Sequence, residues 1–146
     1  MILLILALCQ VLAPNVNAWD YATGTAFAIE NAPPLYDRDE YKHKTAAIMV
    51  AVGYRESTFK TDAIGDNGNA LCSYQLWNTE RDVLTDSRKC ATIALERLRE
   101  SMRICGSRNP LGIYASGPRG CESQKAKRIS EDRTNLAKFA LRQVMP

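Results

Sequence analysis

Apolar and polar positions divide the chain into blocks of different character. From Ile2 to Ala13, Ile, Leu, Val and Ala dominate, and none of the first eighteen residues carries a charge. This run is too short to span a bilayer comfortably, and Val16, Asn17 and Ala18 are residues of the kind that precede a signal-peptidase cut. Residues 1–18 therefore read as an export signal removed before Trp19, with an uncleaved anchor as the alternative because no Lys or Arg follows Met1. The segment Ala22–Asn31 has helical spacing and is ended by Pro33 and Pro34, which cannot donate to a helix ladder. From about Asp39 to Glu56 the chain is apolar on every side (Ala46, Ala47, Ile48, Met49, Val50, Ala51, Val52), the mark of a central buried helix closed by Glu56.

Turn-forming residues fill Thr61–Asn69 and predict a turn or short hairpin before Leu71–Trp77. A further helix is expected from Ser87 to Cys105, where Ala91, Leu95, Leu98, Met102 and Cys105 form one stripe and Gly106 is the stop. Pro110, Gly112, Gly117, Pro118 and Gly120 mark Asn109–Gly120 as an irregular loop. Ser130 is expected to cap a last helix with Leu136, Ala137, Ala140, Leu141 and Val144 on its apolar face. The pattern predicts one mainly helical domain over residues 19–146, with no repeat or linker.

Charge and cysteines refine this picture. The whole chain has 146 residues and a net charge of +3, with basic residues at Arg97, Arg99, Arg103, Arg108, Arg119, Lys125, Lys127 and Arg128. A mild basic excess suits an anionic polymer such as bacterial cell wall. Nucleic acid is disfavoured, because the basic residues are interleaved with Glu and lack a stacking aromatic series. Beyond Cys9 in the leader stand Cys72, Cys90, Cys105 and Cys121. An even number in an exported chain implies two disulfides; three connectivities are open, and Cys72–Cys90 with Cys105–Cys121 is preferred because each closes a local loop. No CxxC pair supports a zinc site, the single His43 stands between two lysines, and no motif implies a cofactor.

Candidate chemistry centres on Glu56. A carboxyl group at the end of an apolar helix is desolvated, which favours its protonated form, and a carboxylic acid held beside a glycosidic oxygen can protonate the leaving group and later take a proton back. A lone Glu at a helix end is an ordinary feature. Here, however, it opens the run from Glu56 and Ser57 through Phe59, Ala63, Gly65 and Gly68 to Gln75. With the apolar helix before it, this run resembles the transglycosylase SLT family and, more broadly, the goose-type lysozyme-like superfamily. Tyr114, Ala115, Ser116 and Gly117 resemble the Tyr-Asn-Ala-Gly motif of that family.

The resemblance implies an α+β lysozyme-like fold, with a small hairpin region lining a groove. It makes Glu56 the general acid and then base, Gln75 a groove residue, Tyr114 a hydrogen-bonding neighbour of Glu56, and Ser57 a residue that orients substrate. Two departures stand out: Cys72 replaces the usual Gly three residues before the Gln, and Ala115 and Ser116 replace Asn and Ala. The substrate class implied is the glycan strand of peptidoglycan, cleaved in the periplasm or outside the cell. A lytic transglycosylase needs no second carboxylate; a hydrolytic lysozyme would use Asp66 or Asp62, of which Asp66 in Asp-Asn-Gly is also a natural turn former. The other alternative is an inactive wall-binding protein of the same fold.

Overall fold

The computed structural model describes residues 1–36 and 41–145. The elements in chain order are helices α1 (Ile2–Leu12), α2 (Trp19–Asn31) and α3 (Lys42–Ser57), strands β1 (Ile64–Gly65) and β2 (Ala70–Leu71), and helices α4 (Ser87–Cys105), α5 (Gly112–Ser116) and α6 (Gln124–Val144). The strands are antiparallel, Ile64 facing Leu71 and Gly65 facing Ala70. The chain is thus mainly helical, with one small hairpin, as its pattern predicts.

Helix α3 is the axis of the core because its sequence leaves it no polar face: every residue from Thr45 to Gly53 is buried. It packs against α6 on one side and α1 and α2 on others, while α2 also lies along α4. The α2–α4 contact depends on Gly24, where a Cβ would come within 2.4 Å of the Ser87 carbonyl oxygen. The start expected for α3, at Asp39, falls outside the described residues; the observed helix runs from Lys42 to Ser57.

The segment read as an export signal contributes α1 to this core. Ile5, Leu8 and Cys9 are buried in the same apolar cluster as Ile29, Met49 and Ala137. Burial pushes the Cys9 thiol up to about 12. Among the described residues, no helix is long and apolar enough to cross a membrane.

Helix α4 matches its stripe from end to end. Asp86 caps it by accepting from the Arg88 and Lys89 backbone N–H groups, and Gly106 terminates it at φ 61°. Two expectations need correction. Asn109–Gly120 is not wholly irregular, since it contains α5. The cap of α6 is Ser123, which accepts from the Ala126 N–H, and not Ser130. Ser130 lies inside α6, buried, where its hydroxyl accepts from the Leu111 N–H at 3.2 Å.

The cysteines pair as Cys72–Cys90 and Cys105–Cys121. Cys90 lies in the first turn of α4 and Cys105 is its last residue, so the two cross-links hold opposite ends of one helix. Paired cysteines of this kind belong to an oxidising environment.

Candidate active site

Glu56 lies in the last turn of α3, its side chain one quarter exposed, and its Oε1 accepts from Arg133 Nη2 at 2.9 Å. Arg133 comes from α6 and is 15% exposed. Its position follows from helical geometry: Ala126, Ser130, Ala137 and Ala140 are the buried residues of α6, and Arg133 continues their spacing of four and three. A guanidinium on that inward stripe needs an anionic partner, and Glu56 supplies it. Asp132 extends the pair by accepting from Arg55 at 2.7 Å and from Arg133 at 3.3 Å, so charges alternate along the α3–α6 contact.

Beyond Glu56 the chain leaves the helix abruptly. Thr58 and Phe59 take left-handed φ values of 53° and 67°, and the Thr58 N–H closes onto the Tyr54 carbonyl. Among the described residues, every non-glycine position with positive φ falls between Thr58 and Asn78; the others are Asp66, Asn67, Cys72, Gln75 and Asn78. Asn and Asp tolerate this region, but Thr, Phe, Cys and Gln do so at a cost, and such positions concentrate at functional sites.

The φ of Cys72, 61°, is a conformation that favours glycine, and the bond to Cys90 anchors the same turn. Gln75, at φ 49°, folds its side chain back so that Nε2 donates to the Cys72 carbonyl at 3.0 Å. The amide oxygen then lies so close to Gly65 that a Cβ there would stand 2.1 Å from it, so hairpin and turn interlock through that glycine.

Two hydroxyls fasten this turn to the helices. Ser57 Oγ donates to the Ser73 carbonyl at 2.9 Å, and Tyr114 Oη donates to the Tyr74 carbonyl at 2.6 Å. Adjacent carbonyls are thereby gripped from the end of α3 and from α5. Ser101 on α4 fixes α5 in turn, its hydroxyl accepting from the N–H groups of Ile113 and Tyr114. Beneath, the Tyr74 ring is buried, its hydroxyl donating to Tyr21 and lying 2.8 Å from Thr25 Oγ1. Burial, with the charge of Glu56 adding to it, holds the Tyr114 hydroxyl well above the usual tyrosine range despite the opposing pull of Arg97 and Arg133. It stays a neutral donor.

An open cleft of about 630 Å³ runs along this turn, lined by Asp66, Gln75, Trp77, Asn78, Arg97 and Tyr114 among others. Three of the residues singled out from the sequence, Gln75, Tyr114 and Asp66, thus line the same cleft. Ser57 acts as a tether to the turn, Glu56 stands next to it at the end of α3, and Asp62 is exposed and is not on the cleft lining. Arg133, Asp132 and Trp77 were given no role by sequence reasoning. The usable signals were a charge on the inward stripe of α6 for Arg133, and a large aromatic beside a turn for Trp77.

Among the described residues, no cluster of His, Cys, Asp and Glu is arranged to hold a metal ion. The chemistry on display is that of a carboxyl group at a helix end, paired to a half-buried arginine and acting on the neutral phenol of Tyr114; Tyr114 lines the open cleft, whereas Glu56 and Arg133 are not on its lining. Compared with protein-family models, with curated proteins and with solved structures, the chain matches none.

Proposed function

We propose that this chain is an exported enzyme of lysozyme-like fold that cleaves the MurNAc–GlcNAc β-1,4 bonds of peptidoglycan as a lytic transglycosylase, with Glu56 as acid and then base. Glu56, protonated against the pull of Arg133, gives its proton to the glycosidic oxygen as the bond breaks. The carboxylate then takes the proton of the hydroxyl of the same sugar that closes onto the anomeric carbon, giving an anhydro end without a second carboxylate. Arg133 keeps the carboxyl oriented, and Tyr114 and Gln75 border the glycan.

The observation that carries this reading is the convergence of two blocks far apart in sequence: Tyr114 donates to the carbonyl of Tyr74, the residue before Gln75, and lies in the field of Glu56. A hydrolytic lysozyme is the second reading. It is favoured by one feature, the place of Asp66 on the cleft lining, where a carboxylate could activate water.

The test is mass spectrometry of soluble products from peptidoglycan incubated with the full chain, beside its Glu56→Gln variant. Anhydro-muropeptides released by the first protein alone are expected. Reducing-end products would transfer the reaction to the hydrolase reading. No release from either protein would overturn cleavage altogether and leave a wall-binding protein.

A further inference from the structure

Trp77 is a large apolar side chain that the core does not use. It is half exposed and belongs neither to the buried cluster nor to the residues packed on it. Among the described residues, it is the one exposed large apolar side chain that lines the cleft shared by Gln75, Tyr114 and Asp66. Its backbone is nevertheless pinned on both sides. Leu76 before it is buried and bridged to Leu71 by two backbone hydrogen bonds, of 2.8 and 3.0 Å. Asn78 after it is fixed in the left-handed region at φ 50°. Arg97 on α4 grips the carbonyl of Trp77 from Nη1 at 2.6 Å and that of Asn78 from Nη2 at 3.4 Å. An indole exposed to water, on a backbone clamped by a guanidinium, in a cleft edged by amides and a carboxylate, is built for a ligand with one apolar face and a polar rim.

We infer that Trp77 is the stacking platform of a sugar-binding subsite in this cleft, taking the face of one pyranose ring of a β-1,4-linked N-acetylated glycan, with Arg97 as its positioning residue. This deepens the glycan reading and rests on it. A pyranose with equatorial substituents presents axial C–H groups to the π face, while its hydroxyl and acetamido groups point outward to Asn78, Gln75 and Asp66. Arg97 spends its donors on backbone carbonyls and fixes the plane of the platform.

The chain has two tryptophans, so Trp19→Phe leaves Trp77 as the single reporter. The full chain carrying Trp19→Phe and Glu56→Gln is titrated with chitotetraose, followed by Trp fluorescence; a saturable change is expected, and none at millimolar sugar would overturn the subsite. Calorimetry then compares Glu56→Gln with the same protein carrying Trp77→Ala or Trp77→Tyr. Affinity is expected to fall about tenfold with Ala and to be largely kept with Tyr. Equal affinity with Ala would overturn the proposal. The two readings fail separately: sugar binding at Trp77 without product release removes cleavage and keeps the subsite, whereas release of products with the same KM in Trp77→Ala removes the subsite and keeps cleavage.

Discussion

Arg133 and Glu56, 77 positions apart in sequence, meet at 2.9 Å where α6 crosses the end of α3. The contact fixes which way the carboxyl faces, and it joins stability to chemistry, since each charge is partly withdrawn from water and compensated by the other. Arg133→Ala is expected to lower kcat on peptidoglycan about tenfold or more with little change in KM, and to cost about 2 kcal/mol in urea unfolding. Arg133→Lys keeps the charge without the planar fork and should recover part of both losses. An unchanged kcat in the Ala variant would show that the pair serves the fold alone.

Glu56→Gln keeps the size of the side chain and a hydrogen-bond acceptor for Arg133 but cannot donate a carboxyl proton. Lytic activity is expected to fall by about a thousandfold, with the circular dichroism spectrum unchanged. Full activity in this variant would remove Glu56 from the chemistry.

The packing of α1 predicts a cost for removing it. A chain starting at Trp19 should melt about 10 °C below the full chain, because Ile5 and Leu8 leave the core and the faces of α2, α3 and α6 that pack on α1 are uncovered. The Cys9 thiol, pushed up to about 12, should resist thiol reagents at pH 8 in the full chain until denaturant is added. Rapid labelling in the native protein would show that α1 is not held in the core.

The left-handed turn at Cys72 separates the cross-link from its backbone. Replacing Cys72 and Cys90 together by Ser should cost about 2–4 kcal/mol in chemical denaturation. Using Gly at position 72, with Ser at 90, should return about 1 kcal/mol of that, since glycine adopts φ 61° without a Cβ clash. Equal stability of the two double variants would contradict the strain.

Tyr21, Tyr74 and Tyr114 all have hydroxyls raised above the usual range, burial being the first cause of each. Their protonated forms are favoured in the folded state, as is that of Cys9, so stability should begin to fall as pH rises past the unfolded thiol value of about 8.5 and fall more steeply beyond the unfolded tyrosine value of about 10. Each such group, Tyr36 included, adds about 1.4 kcal/mol per pH unit to the slope between its unfolded and folded values. Absorbance of tyrosinate near 295 nm should therefore lag behind that of free tyrosine up to pH 11 and then rise with unfolding. Titration of Tyr21, Tyr74 and Tyr114 alongside free tyrosine would contradict these raised values.

The fold was legible where one physical signal dominated. The four-and-three stripe from Ala91 to Cys105 gave α4 its limits, because a surface helix must turn an apolar face inward. The apolar run before Glu56 gave α3 its central place. Legibility failed where signals competed. The helix of α5 is only one turn long, and its flanking Gly and Pro residues outweigh it in any local reading. Ser130 looked like a cap because serine favours that role, but burial on α6 gave its hydroxyl to Leu111. In the site, Gln75 and Tyr114 could be named from motifs, whereas Arg133 required knowing which face of α6 points inward. Trp77 required knowing that its turn lies open on a cleft.

The disulfides at the two ends of α4 set a dimension. One leads to the turn that carries Gln75 and Trp77; the other leads to the segment just after α5, which carries Tyr114. At 1.5 Å per residue their attachment points on α4 lie about 22 Å apart. A hydrogen-bonded helix hardly stretches, so it works as a spacer bar between the anchorages of two walls. The placing of the cleft along α4 is thus inherited in part from peptide geometry and sulfur bonds, which act together with the Tyr114 and Arg97 hydrogen bonds to the same turn. Reduction therefore removes the covalent stops at both ends of the bar and leaves those hydrogen bonds to hold the walls.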